Sequence, residues 1–153
     1  MRSSTRVLGP ALVAAAIIAA GLSVYAQVSR PYHDGAVWQI SFVRVKPGMD
    51  AAYMNYLASD WKRNQETAKK EGLILSYKVI TTEAHGNSDW NLMLMVEYKD
   101  LASMEAGDDK ADALVQRVVG DDQKQMQGYR DRLEIREVMA TRLSREIILE
   151  PKR

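Results

Sequence analysis

The side chains best equipped for chemistry in this chain are aromatic, and three of them share one short segment. In "VRVKPGMDAAYMNYLASDWKR" (residues 43–63), Tyr53, Tyr56, Leu57 and Trp61 recur at three- and four-residue spacing, which places them along one side of a helix. An indole can stack on a flat ligand, and a phenol offers an apolar ring with a hydrogen-bonding tip. The same residues also make ordinary core. The chain holds seven Tyr against a single Phe, and each buried hydroxyl needs a hydrogen-bond partner. That bias points to a polar-lined cavity or a wet interface, against the plainer reading of core tyrosines with their tips at the surface. Tyr56 and Trp61, with Tyr77 from a neighbouring strand, are the expected border of a small cavity.

His85 could exchange a proton near neutral pH and joins those three as a candidate ligand-binding residue. It lies next to Gly86, Asn87 and Ser88, a setting that equally suits a solvated loop. His33 falls in a polar stretch. Joined with Asp34 or Asp89, the two histidines show no recognised metal-ligand spacing, so no metal and no cofactor is expected. The chain has no cysteine, which excludes disulfides, thiolate metal sites and a cysteine nucleophile. There is no phosphate-cradling glycine loop and no nucleophile elbow. No catalytic residue can therefore be named. Lys78, Glu97 and Glu146 are read as pairing across strands or between copies, since a half-buried charge needs a mate.

Positioning these residues falls to a chain of 153 residues, long enough for one domain and an appendage. Residues 1–26 carry Arg2 and Arg6, an uncharged run and the small-residue ending Val24-Tyr25-Ala26. This is the pattern of a secretory signal peptide cut after Ala26, with an uncleaved anchor as the competing reading. A periplasmic or secreted protein, with no membrane attachment after cleavage, is expected. Without that segment the formal charge moves from +1 to −1. Such a balance lacks the electrostatic footprint of a nucleic-acid binder. Arg130, Arg132 and Arg136 are interrupted by Asp131, Glu134 and Glu137 and read as a solvated helix face.

Residues 27–35 read as a linker, and a domain follows over 36–150. "AVWQISFVRV" alternates as a strand until Lys46-Pro47-Gly48 ends it. A helix over about 49–71 closes at Gly72. Strands over 73–81 and 90–98 form a hairpin. Helices over about 100–106, 109–119 and 121–139 come next, and "RLSREIILE" supplies a fourth strand. The order β-α-β-β-α-β predicts an α+β, ferredoxin-like fold: a four-stranded antiparallel sheet with helices on one face.

Alternation assigns Trp38, Ile40, Phe42, Leu73, Leu75, Tyr77, Val79, Leu92, Leu94, Val96, Leu143, Ile147 and Leu149 to the helix-covered face. The opposite face mixes Val37, Val43, Val45, Ile74, Ile80, Met93, Met95 and Ile148 with Gln39, Ser41, Ser76, Lys78, Asn91, Glu97 and Glu146. That face is too apolar for water alone and too polar for a dry core. An apolar patch of this extent marks an interface, and a second copy of the chain, sheet against sheet, is its simplest cover.

The strand ending in "VRVKPG", the aromatic-bearing helix, the hairpin and the helical segment before "REIIL" resemble the dimeric α/β-barrel superfamily over about residues 36–150. Its members include antibiotic-biosynthesis-type monooxygenases, NIPSNAP-like proteins and stress-responsive barrel proteins. The resemblance implies a homodimer and a pocket between each sheet and its helices. Some relatives degrade haem through a helical histidine, and the predicted helices hold none. Others oxidise phenols without a cofactor, and no motif of theirs is matched here. The expected function is an exported, dimeric protein of undetermined biochemical role that takes a small apolar or aromatic molecule. A cofactor-independent monooxygenase-like enzyme and a structural or partner-binding envelope module are the alternatives.

Overall fold

Two long strands organise the molecule. In a computed structural model that describes residues 30–86 and 89–151, β1 (Tyr32–Val45) and β4 (Arg136–Leu149) are each fourteen residues long and pair antiparallel. The shorter β2 (Ser76–Thr81) and β3 (Leu92–Tyr98) complete one antiparallel sheet in the order β2-β3-β1-β4. This is the ferredoxin-like strand order, with the hairpin partner β3 and the last strand β4 flanking β1. The expected signal peptide, its cut after Ala26 and residues 87–88 of the hairpin loop lie outside the described residues. β1 begins at Tyr32, inside the stretch read as a linker, because Tyr32, His33 and Asp34 pair with Leu149, Ile148 and Ile147.

β1 ends at a turn in which Gly48 has φ +79°, a conformation that favours glycine. The helix that follows is continuous but not uniform. α1 (Asp50–Tyr56) passes through a π-helical turn (Leu57–Trp61) into α2 (Lys62–Lys70). On the widened turn the Ser59 hydroxyl donates to the Asn55 carbonyl at 2.6 Å, adding a bond to the backbone ladder. After β3 come α3 (Leu101–Ala106), α4 (Asp108–Val118) and α5 (Asp122–Ile135). Asp100 caps α3 by accepting from the Ser103 amide at 2.6 Å, and Asp121 caps α5 by accepting from the Lys124 amide at 3.0 Å. Each satisfies an amide that the helix itself leaves unpaired.

Val43, Val45, Tyr53, Leu57 and Leu92 form the core, with Tyr56, Trp61, Leu94 and Ile135 packed around it. The register shows which sheet face the helices cover. Val37, Gln39, Ser41 and Val43 lie opposite Tyr98, Val96, Leu94 and Leu92, while Trp38, Ile40 and Phe42 lie opposite Glu97, Met95 and Met93. β1 is thus inverted relative to the expectation: its valines face the helices, and Trp38, Ile40 and Phe42 face away. Both of its faces are apolar, so alternation fixes the period and not the side. Tyr53 and Leu57 fill the space above the sheet and leave room beneath for valines.

Three further differences have local causes. β2 starts at Ser76, because residues 73–75 turn: Ile74 is buried, and Leu75, expected inside, is 48% exposed. α5 stops at Ile135 where helix was expected to about residue 139. Arg136, Glu137 and Val138 pair instead with Val45, Arg44 and Val43. β4 is an edge strand whose residues 141–149 are all exposed, so Leu143, Ile147 and Leu149 do not reach the core. Bulges between Asp34 and Val37 on β1, and opposite Phe42 and Val43 on β4, bend this long pair. No helix among the described residues is long and apolar enough to cross a membrane.

Candidate functional site

The site is a cleft between two helical layers. Tyr56, Asp60 and Asn64 on the α1–α2 helix face Val119, Met126 and Arg132 of the α4–α5 segment across a volume of about 910 Å³. Small-molecule sites commonly occupy about 300–1,000 Å³. The resemblance implied a pocket between sheet and helices. That space is filled here by Tyr53, Leu57 and Leu92, and the cleft opens on the outer side of the same helix.

Stacked aromatic and cationic groups adjoin the cleft, and Tyr56 and Arg132 among them line it. Tyr53 and Tyr56, three residues apart, stack with ring centroids 5.8 Å apart and planes at 21°. The Arg132 guanidinium lies 5.1 Å from the Tyr56 ring centroid, and that of Arg136 lies 5.8 Å from the Tyr53 ring centroid. Such cation–π contacts hold a charge against a ring face. Arg132 comes from the last turn of α5 and Arg136 from the first residue of β4, opposite Val45. The end of α5 and the start of β4 therefore bring two cations to one place.

The polar atoms of this cluster lack partners. Tyr53 Oη, Asn64 Oδ1, Arg132 Nε, Arg136 Nε and Arg136 Nη1 are the buried side-chain polar atoms without a hydrogen bond among the described residues. Asn64 and Arg132 line the cleft; Tyr53, stacked on Tyr56 in the core, and Arg136 do not. Burial pushes the Tyr53 phenol up to about 12, against the pull of Arg136 and Arg132. Burial likewise raises Tyr56, opposed first by Arg132 and then by Arg136. Both phenols are neutral hydrogen-bond donors at physiological pH. No three His, Cys, Asp or Glu side chains gather into a metal-ligand set among the described residues.

The four sequence candidates occupy three places. Tyr56 lines the cleft. Trp61 and Tyr77 meet edge to face at 5.2 Å on the sheet side of the helix, and the Tyr77 hydroxyl donates to Glu66 at 2.5 Å. His85 sits in the hairpin loop, where its backbone amide donates to Asp89 at 3.2 Å. Neither Trp61, Tyr77 nor His85 lines the cleft. Asn64, Arg132 and Arg136 were not among the candidates, and reading the arginines as a solvated face is corrected for Arg132 and Arg136, whose guanidinium nitrogens are partly buried. The legible signal was spacing for Arg132 alone: Tyr129 and Arg132 stand three residues apart on one helical stripe, whereas Arg136 comes from the first residue of β4.

No protein-family model and no curated protein matches this chain. Among solved structures, a NIPSNAP family protein with unknown function from Agrobacterium tumefaciens is similar over 77% of this chain and 92% of its own, with 14% sequence identity and a TM-score of 0.49.

Proposed function

We propose that this protein is an exported homodimer that binds a small apolar or aromatic molecule in the cleft between the α1–α2 helix and α5. One observation carries the reading: Asn64 and Arg132, which line a cleft of ligand size, each hold a buried polar atom without a partner. Buried polar groups are nearly always hydrogen-bonded, and an unmet one costs about 1–3 kcal/mol. A fold that leaves two of them on residues lining a cavity of ligand size suits a molecule that supplies the missing bonds. Val119 and Met126 on the cleft wall suit an apolar body.

The homodimer is supported by the sheet face that no helix covers. Trp38, Ile40, Phe42, Met93 and Met95 are half-buried there, and Ile80 beside them is 41% exposed. Phe42 packs edge-on to Trp90 at 5.0 Å, and the Lys78 ammonium lies 5.1 Å from the Trp38 ring centroid. A two-fold copy laid on this surface removes it from water with self-complementary contacts. Export rests on the sequence of residues 1–26 alone.

Native mass spectrometry of the protein taken from its source tests the ligand. A bound organic molecule is expected, and it is lost when Asn64→Leu closes the cleft; a ligand-free protein under all non-denaturing conditions would refute the reading. Light scattering tests the assembly. Wild type is expected at twice the chain mass and Ile40→Glu at the single-chain mass, whereas a monomeric wild type refutes the dimer.

A further inference from the structure

We infer that the two copies of the proposed homodimer are held in register by reciprocal ion pairs, Arg142 of each copy with Glu97 of the other; the inference rests on the uncovered sheet face being the dimer interface. The strand register lays out the charges of that face. Ser76, Glu97, Trp38 and Ser144 form one row across the sheet, and Lys78, Met95, Ile40 and Arg142 form the next. Glu146 follows Ser144 on the same side of β4. Lys78, Glu97 and Glu146 are the charges expected to pair across strands or between copies, and within one chain they do not pair. Among the described residues the ion pairs join Arg44 to Glu137, Arg63 to Asp60, Arg117 to Glu71 and Arg145 to Asp34. Arg142 takes part in none of them, and its guanidinium donates to the neighbouring Thr141 carbonyl at 3.2 Å. Arg44 and Glu137, further along the same face, answer each other. Lys78, Arg142, Glu97 and Glu146 therefore remain: two cations and two anions, a set complementary to a second copy of itself.

Covering this face takes Glu97 out of water. It stands half-buried on an inner strand, with the Ser76 hydroxyl donating to it, and a buried carboxylate needs a cation. Lys78 is held over the Trp38 ring. Arg142 is exposed on the edge strand, and its planar fork of N–H groups matches a carboxylate. A two-fold axis running along the strands between two stacked sheets reverses the strand order, so β4 of each copy overlies the β2–β3 side of the other. There Arg142 faces either Lys78, from its own row, or Glu97, one strand in and one row along. Like charges repel and opposite charges attract, which selects the register that joins Arg142 to Glu97. The two-fold makes that contact twice, with Trp38, Ile40 and Met95 as the apolar centre between the pairs.

Charge reversal in the intact chain tests this, read by sedimentation and native mass spectrometry. Arg142→Glu and Glu97→Arg are each expected to weaken self-association about tenfold or more, and an equal mixture of the two to recover wild-type association as a heterodimer. Should Glu97→Arg fold poorly on losing its Ser76 bond, the cycle of Arg142→Gln, Glu97→Gln and the double variant replaces it, with losses that fail to add as the expected result. Additive losses in that cycle, or a reversed pair that stays monomeric when mixed, overturn the inference. Recovery with Glu146→Arg in place of Glu97→Arg overturns the choice of mate. A dimer that Ile40→Glu dissociates and Arg142→Glu leaves intact overturns the ion pairs while keeping the interface. A monomeric wild type overturns both readings.

Discussion

Replacing Tyr53 by Phe should make the unliganded protein more stable, against the usual direction of a core substitution. Tyr53 is fully buried, and its hydroxyl has no hydrogen-bond partner. In the unfolded chain that hydroxyl is hydrated, so folding strips it of water without replacement, a loss of about 1–3 kcal/mol. Phenylalanine keeps the ring, and with it the stack on Tyr56 and the face presented to Arg136. Loss of the hydroxyl dipole near the two guanidinium groups offsets part of the gain, leaving a net of about 1 kcal/mol. In urea, where a small domain has a slope of about 1–3 kcal/mol per molar, the midpoint should rise by roughly 0.5 M with the slope unchanged. Tyr98→Phe is the matched control, because the Tyr98 hydroxyl donates to Gln39 at 3.3 Å; it should lose about 0.5–1.5 kcal/mol. A Tyr53→Phe protein of equal or lower stability than wild type would refute the reasoning, since the hydroxyl must then be hydrated or bonded in the folded state.

Alkaline unfolding should report the same phenol. Its folded value, about 12, lies above the ordinary 10, so the stabilisation is complete below pH 10 and is lost as pH rises through 12, because the unfolded state releases the proton first. Absorbance titration of wild type should show late-ionising tyrosines, and Tyr53→Phe should lessen the loss of stability between pH 10 and 12. At the entrance to α5, Gly120 has φ +122°, and a methyl group there would meet the Lys124 side chain at 2.6 Å. Gly120→Ala should therefore cost about 1–3 kcal/mol in urea unfolding. Leu114 is the buried residue of α4, and Leu114→Ala should cost about 2–5 kcal/mol by the same measurement.

The architecture was legible because its punctuation is local. Lys46-Pro47-Gly48 ends a strand and Gly72 ends a helix for reasons written in φ angles and missing donors, and these fix the element order on which the strand order depends. The side of β1 was not legible. Trp38, Ile40 and Phe42 make as good an inner face as Val37, Val43 and Val45, and only the volume of Tyr53 above the sheet chooses between them. The boundary of α5 was hidden because Val138 continues a helical spacing that pairing with β1 overrides. Tyr56 was found at the cleft as an aromatic on a helix stripe. Arg132 and Arg136 were missed because neighbouring acids suggested solvent. Their burial comes from tertiary contacts with Tyr56 and Tyr53, which no short stretch of sequence encodes.

The π-helical turn at Leu57–Trp61 means that the segment upstream and the segment downstream are one residue out of step. Each residue of an ordinary helix turns the chain by about 100°, so the extra residue sets the azimuth of Asn64 relative to Tyr56. Excision of Ala58 would restore a regular helix and swing Asn64 off the wall it shares with Tyr56. The scaffold thus holds a site adjustable by chain length alone, in which losing a single codon would redraw the binding surface while the strands stay paired.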